Sequence, residues 1–211
     1  MGADDGCLLL FVASSYDIAC ASLSAVRLAL AKKLDLINKD QFNFLWVNKF
    51  PLFEWDEESQ SFFAMHHLFT QPLDEDLEYL ETSPEKVRGQ LYDLVLNGVE
   101  LLSGSIRINN PDIQKQVLKI VKMPDEEADS KFGFLMNAFS YGAPPHGGSA
   151  LGLDRLVAIL CGEDSIREVI AYPPNNTGVF PLDGSPAALD SKQLDELGLQ
   201  LSKKPEEKTE S

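Results

Sequence analysis

The chain has 211 residues, enough for one good-sized core or for one domain and part of another. Hydrophobic residues make up 44% and charged residues 24%, as in ordinary globular proteins. With 33 acidic against 18 basic residues the formal net charge is -15, which argues against a main nucleic-acid surface, because phosphate neutralisation needs clustered Lys and Arg. Cys7, Cys20 and Cys161 are too widely spaced for a CxxC metal or redox site and read as reduced intracellular thiols. No signal peptide, lipidation motif or transmembrane run is visible, so a cytosolic compartment is expected.

Residues 8–13 (LLLFVA) have the length of an apolar strand. A helix follows, with Leu23, Val26, Leu30 and Leu34 spaced to turn one stripe toward a core. Residues 42–54 predict a strand stopped by Pro51, and 61–67 (SFFAMHH) another strand after an acidic turn. Residues 71–85 are acidic and loop-like, with Ser83-Pro84-Glu85 able to start a helical turn. Residues 91–96 and 99–108 predict a hairpin across Asn97-Gly98, a pair suited to a type I′ turn because both residues must take positive φ. Asn110 and Pro111 read as N-cap and first residue of a helix to about 121. Phe132, Leu135, Met136 and Phe139 mark a second helix. Residues 142–148 (GAPPHGG) exclude helix and lead into a short strand, then a helix from about Asp154 to Leu160 ended by Gly162. The last ten residues (SKKPEEKTES) have no apolar side chain and predict a disordered tail. Hairpin strands grouped together and followed by helices predict an α+β fold, an antiparallel sheet flanked by helices.

Three features carry chemistry, and all three histidines fall within them. His66-His67 ends a strand, so at most one of the pair faces a given ligand; hydrogen bonding to a loop is the competing reading. Glu100 and Arg107 lie seven apart on one strand, on opposite faces unless a bulge, expected at Ser103-Gly104-Ser105, shifts the parity. On one face they suit a metal and a ligand carboxylate; otherwise they are a surface ion pair. In GAPPHGGSALGLDRL (142–156), glycines allow close approach to a flat ligand, and Arg155 offers a donor fork to phosphate oxygens.

Together these segments resemble aspartyl-tRNA synthetases of the bacterial and mitochondrial type. YGAPPHGGSALGLDRL is similar to motif 3 of class II synthetases. AMHHLFTQP (64–72), YDLVLNGVE (92–100), GSIRI (104–108), KFGFLMNAFSYG (131–142) and IREVIAYP (166–173) match in order and spacing. The resemblance implies that 1–40 ends an insertion domain, that 41–190 is the C-terminal part of the catalytic domain, and that 191–211 is a C-terminal extension. It also implies aspartate binding by His66, His67 and Arg107, and ATP binding by Glu100 (through Mg2+), Gly152, Leu153, Asp154 and Arg155. L-aspartate, ATP and tRNA-Asp are the implied partners, with a homodimer for the full-length parent and the mitochondrial matrix as the other compartment. The chain shows no counterpart of motifs 1 and 2 or of the anticodon-binding barrel. Met1-Gly2 reads as a start inside a longer gene, and the chain alone is expected to be inactive.

Departures from the family pattern are also present. Leu101-Leu102-Ser103-Gly104 stands where a three-glycine run is usual, Asn109 for a histidine, Leu68 for a proline, Lys49 for an acidic residue and Pro174 for a lysine. Leu102 and Ser103 are expected to narrow the ligand pocket if no bulge precedes Leu102. A catalytically dead paralogue, kept as a binding or regulatory module, is the alternative reading.

Overall fold

A computed structural model describes residues 2, 4–38 and 40–201; the tail predicted to be disordered lies outside them. The chain divides into two units, Met1–Leu153 and Asp154–Ser211. Near the start of the first unit, 8–13 forms no strand: Leu8 and Phe11 are exposed and no described segment pairs with them. Helix α1 (Tyr16–Lys33) has Asp17 in its first turn and Lys32 and Lys33 in its last, as its dipole favours. None of its residues is buried, contrary to the expected core-facing stripe. Ile18 and Leu28 are exposed as well as Leu23, Leu30 and Leu34, so apolar residues surround the helix instead of forming one face.

The strand predicted over 42–54 is two strands in different sheets. β1 (Phe44–Asn48) stops where Lys49 adopts φ 59°, and β2 (Phe53–Asp56) starts beyond Pro51. β2 pairs with β3 (Ser61–Ala64) in a two-stranded sheet, across a turn in which the Asp56 carboxylate accepts from the backbone of Glu58 and Ser59. β3 ends before the histidines, which therefore sit in a turn instead of finishing a strand.

The main sheet runs β1-β4-β5-β6, antiparallel throughout, with β4 (Leu91–Leu96), β5 (Val99–Ile106) and β6 (Gly147–Leu151). Asn97 (φ 50°) and Gly98 (φ 84°) form the predicted tight turn between β4 and β5. The Asn97 side chain adds bonds to the Asn43 amide and the Gln41 carbonyl, tying the turn to the run before β1. Helix α2 (Pro111–Ile120) opens as predicted, with Asn110 Oδ1 accepting from the Asp112 amide at 2.8 Å. α3 (Asp125–Ser140) follows.

The core gathers Leu52 and Phe53 around β2, Leu80 and Val87 from the 71–88 strap, Ile108 after β5, and Val117 of α2. The strap contains two 3-10 turns, Asp74–Tyr79 and Pro84–Lys86, and is fastened by nearly buried Asp76. Asp76 accepts from the Arg88 amide at 2.9 Å, from Nε at 2.8 Å and from Nη2 at 2.9 Å, while Glu75 takes Nη2 at 2.7 Å.

The second unit holds α4 (Leu153–Cys161) from Asp154 onward, a 3-10 turn at Ile166–Glu168 capped by Ser165, and α5 (Ser191–Glu196) capped by Asp190. Gly162 closes α4 with φ 74°, as the sequence predicts. No helix of the described residues is long and apolar enough to cross a membrane.

Candidate functional site

Pairing within the main sheet decides which side chains share a face. Val95 lies opposite Glu100 and Leu94 opposite Leu102, so Leu101 is an extra, bulged residue. The bulge thus falls between Glu100 and Leu102, not at Ser103-Gly104-Ser105 as expected. Because Val95 and Leu94 are neighbours on β4, they point to opposite faces, and so do Glu100 and Leu102. Counting on from Leu102, Ser103, Ser105 and Arg107 return to the face of Glu100. One inserted residue therefore brings Glu100 and Arg107 to the same side, despite their odd separation. The same count sends Leu102 to the other side, which overturns its expected intrusion into the pocket. Leu101 is 3% exposed, and its carbonyl accepts the Gly152 amide at 2.7 Å.

A cavity of about 710 Å³ opens on the Arg107 face, lined by Leu91, Ser103, Ser105 and Arg107, by Met65, His66 and His67 of the turn after β3, and by 146–150. Gly148, opposite Ser105, presents bare backbone to this face: a Cβ there meets nothing within 4 Å. Gly104 also lines the cavity with its backbone, but a side chain there would point to the opposite face. A Cβ there would stand 2.5 Å from the Gly148 carbonyl and 2.5 Å from the Tyr92 ring, which lies across it. Behind Arg107 an apolar hollow of about 260 Å³ is walled by Phe69, Ile108 and His146, with Leu135 and Phe139 of α3. The α3 stripe read from the sequence thus backs the arginine.

Arg107 is fixed at its backbone by donating to the His146 carbonyl at 2.9 Å. Its Nη1 stands 2.7 Å from His67 Nε2 and 3.0 Å from Nδ1. The Phe69 amide donates to His67 Nδ1 at 3.2 Å, which favours the proton on Nε2, within 3.2 Å of both Ser105 Oγ and Thr70 Oγ1. Arg107 Nη1 can only donate and stands nearer Nε2, so the two contacts favour opposite tautomers of the ring. Burial first, then the Arg107 guanidinium and His66, hold the His67 imidazole below the usual histidine range. Among the described residues no carboxylate lies within ion-pair distance of Arg107, and none lines the cavity. In a chain of net charge -15, the cavity combines one guanidinium with all three histidines. A guanidinium fork suits an anion that can present two oxygens side by side, a carboxylate or a phosphate.

Glu100 shares this face but lies about 20 Å along β5 from Arg107 by the rise per residue, and does not line the cavity. Asp93, opposite Ser103 and 9% exposed, stands diagonally beside it on the same face. No group of three His, Cys, Asp or Glu among the described residues is arranged to hold a metal. Two carboxylates on one face nevertheless fit Mg2+, which draws its remaining ligands from phosphates and water. Gly152 and Leu153 follow β6, and Asp154 and Arg155 occupy the exposed first turn of α4, in the second unit.

A family model described as tRNA synthetases class II (D, K and N) matches residues 13–176, and the chain belongs to that family. It is 55% identical to an aspartate--tRNA(Asp/Asn) ligase of Treponema denticola over 95% of this chain and 34% of that protein. To an aspartate--tRNA ligase of Ruminiclostridium cellulolyticum it is 49% identical, again over 95% of this chain and 34% of the other. An aspartyl tRNA synthetase of Entamoeba histolytica superposes with a TM-score of 0.49 at 25% identity, over 65% of this chain and 24% of that one. The chain thus spans about a third of the length of the curated relatives it matches.

Sequence reasoning missed His146, Ser105 and Asp93 as members of this face; of the two residues it expected in the pocket, Leu102 and Ser103, only Ser103 lines it. His146 was visible only as part of GAPPHGG. The others follow from strand parity, once the bulge is located.

Proposed function

We propose that this chain is the amino-acid and nucleotide end of an aspartate--tRNA ligase, acting within a longer protein. The observation that carries the proposal is the Arg107 guanidinium, held by neutral His67 in a cavity lined by no carboxylate. Arg107 binds the side-chain carboxylate of L-aspartate through a bidentate fork. Asparagine would present amide donors to guanidinium donors and is rejected. His66 and His67 shape the pocket around it. Glu100, joined by Asp93, holds the Mg2+ that accompanies ATP, and Gly152, Leu153, Asp154 and Arg155 receive the adenine and the γ-phosphate.

Aspartate's α-carboxylate attacks the α-phosphate of ATP, forming aspartyl-adenylate and releasing pyrophosphate. A ribose hydroxyl of the terminal adenosine of tRNA-Asp then takes the aspartyl group, and AMP leaves. An adenylate is far longer than an amino acid, which suits anchor points well separated along β5. In this chemistry the protein positions groups and stabilises developing charge. The segments that would supply motif 1, motif 2 and the anticodon-binding barrel, and with them dimerisation and most tRNA contact, belong to the rest of the parent protein. We place that protein in the cytosol.

Aspartate-dependent exchange of pyrophosphate into ATP tests the proposal: the full-length parent exchanges, its Arg107→Ala variant does not, and the isolated chain does not. Robust exchange by the isolated chain, or by the Arg107→Ala parent, would overturn it. The alternative reading, a catalytically dead binding module, drew mainly on the missing glycine run. With Leu102 on the face away from the cavity, that support is reduced to Ser103, which lines it.

A further inference from the structure

The His66-His67 turn carries no strand pairing of its own, and backbone bonds fasten it only at its edges: Met65 to the Leu52 carbonyl, and Ile108 to the Phe69 carbonyl. Between them one side chain reaches in from α2. Gln114, 1% exposed, donates from Nε2 to the Leu68 carbonyl at 2.8 Å, while its Oε1 is buried with no partner. A buried glutamine with an unsatisfied acceptor is a poor choice for packing alone, since an apolar residue of like volume leaves nothing orphaned. The Leu68 carbonyl and the Phe69 amide belong to one planar peptide group. Its oxygen is held by Gln114, and its N–H donates to His67 Nδ1 at 3.2 Å. A bond to the carbonyl end also polarises the amide end and strengthens its donation.

We infer that Gln114 is a positioning residue for the Arg107 site: by fixing the rotation of the Leu68–Phe69 peptide it sets the tautomer and orientation of His67, and through His67 the guanidinium of Arg107. The inference deepens the carboxylate-binding reading above and rests on it, but its first link is measurable without ligand. Gln114 touches nothing that reacts; it acts through a peptide plane and a ring. With its proton on Nε2, His67 offers the Arg107 guanidinium a lone pair only at Nδ1, 3.0 Å from Nη1, so the relay also decides which ring nitrogen receives that donor.

The test is nitrogen-15 NMR of the histidine rings in the wild-type chain and in Gln114→Met, which keeps volume and removes the donor. The wild type should show His67 protonated at Nε2 and titrating below the ordinary histidine range. In Gln114→Met the His67 nitrogens should shift toward a tautomer mixture, with the titration midpoint moving up. L-aspartate affinity by calorimetry should fall on the order of tenfold, the scale on which outer partners of ligand-binding groups act. Unchanged His67 nitrogens in a folded Gln114→Met chain would overturn the inference. Should the variant not fold, the wild type still decides: a slowly exchanging Gln114 side-chain amide, coupled across the hydrogen bond to the Leu68 carbonyl carbon, is expected, and a freely exchanging one overturns it. If His67 shifts as expected while the wild type binds no aspartate, the relay stands and the carboxylate-site reading fails instead.

Discussion

Two arginines of the first unit receive opposite treatment. Arg88 is answered three times by Asp76 and once by Glu75, and its charge is spent on closing the 71–88 strap on itself. Arg107 has a neutral imidazole beside it and no acid in its cavity. The same side chain is a fastener where its fork is filled and a receptor where the fork is left for a ligand. Burial of the surroundings does not separate the two; what separates them is whether the protein supplies the carboxylate.

Filling or emptying either fork gives the largest effects. Arg107→Ala should weaken L-aspartate binding about 100-fold, since truncating one partner of a desolvated charge pair costs about 2–5 kcal/mol. Arg107→Lys keeps the charge but loses the fork and should fall between the variant and the wild type; equal binding by all three would remove the basis for the site. Asp76→Asn should leave aspartate affinity unchanged and cost about 2–3 kcal/mol of stability, the scale of hydrogen bonds to charged groups, read by denaturant or thermal melting. The pH dependence follows the same pair. The Arg88 side chain holds the Asp76 carboxyl below the usual carboxylate range despite burial. That stability is present above the ordinary aspartate value and lost as pH falls below it toward the depressed one.

The walls of the cavity separate next. Gly104→Ala should destabilise by about 1–3 kcal/mol, because its methyl would collide with backbone and with the Tyr92 ring. Gly148→Ala should leave the melt nearly unchanged while its methyl protrudes toward the ligand, so only binding should suffer. Smaller still is Leu102→Gly, which should lose about 1 kcal/mol from backbone freedom alone and gain no aspartate affinity. A tighter-binding variant would put Leu102 on the cavity side after all.

The contrast between the arginines also marks what was legible in the sequence. The Asn97-Gly98 turn, the Asn110 cap, the α3 stripe and the antiparallel hairpin were readable because each rests on local chemistry within a few residues. The resemblance supplied His66, His67, Glu100, Arg107 and the 152–155 stretch. The break of the 42–54 run, the bulge at Leu101 and the partners of Gln114 were not readable. The first depends on Lys49 taking a left-handed conformation that its side chain does not advertise. The second depends on cross-strand register, where one residue moves every later side chain to the other face. The stripe of α1 failed for a different reason: Ile18 and Leu28 lie off the Leu23, Val26 and Leu30 line, so counting matches to one period hid how evenly the apolar residues are spread.

The central claim is that the Arg107 cavity receives a carboxylate and discriminates against its amide. Calorimetric titration of L-aspartate and of L-asparagine into the wild-type chain at neutral pH tests it directly. Saturable heat with aspartate, no detectable heat with asparagine, and loss of the aspartate signal in Arg107→Ala are the predicted result. Equal binding of the two amino acids, or aspartate binding that survives Arg107→Ala, would contradict it.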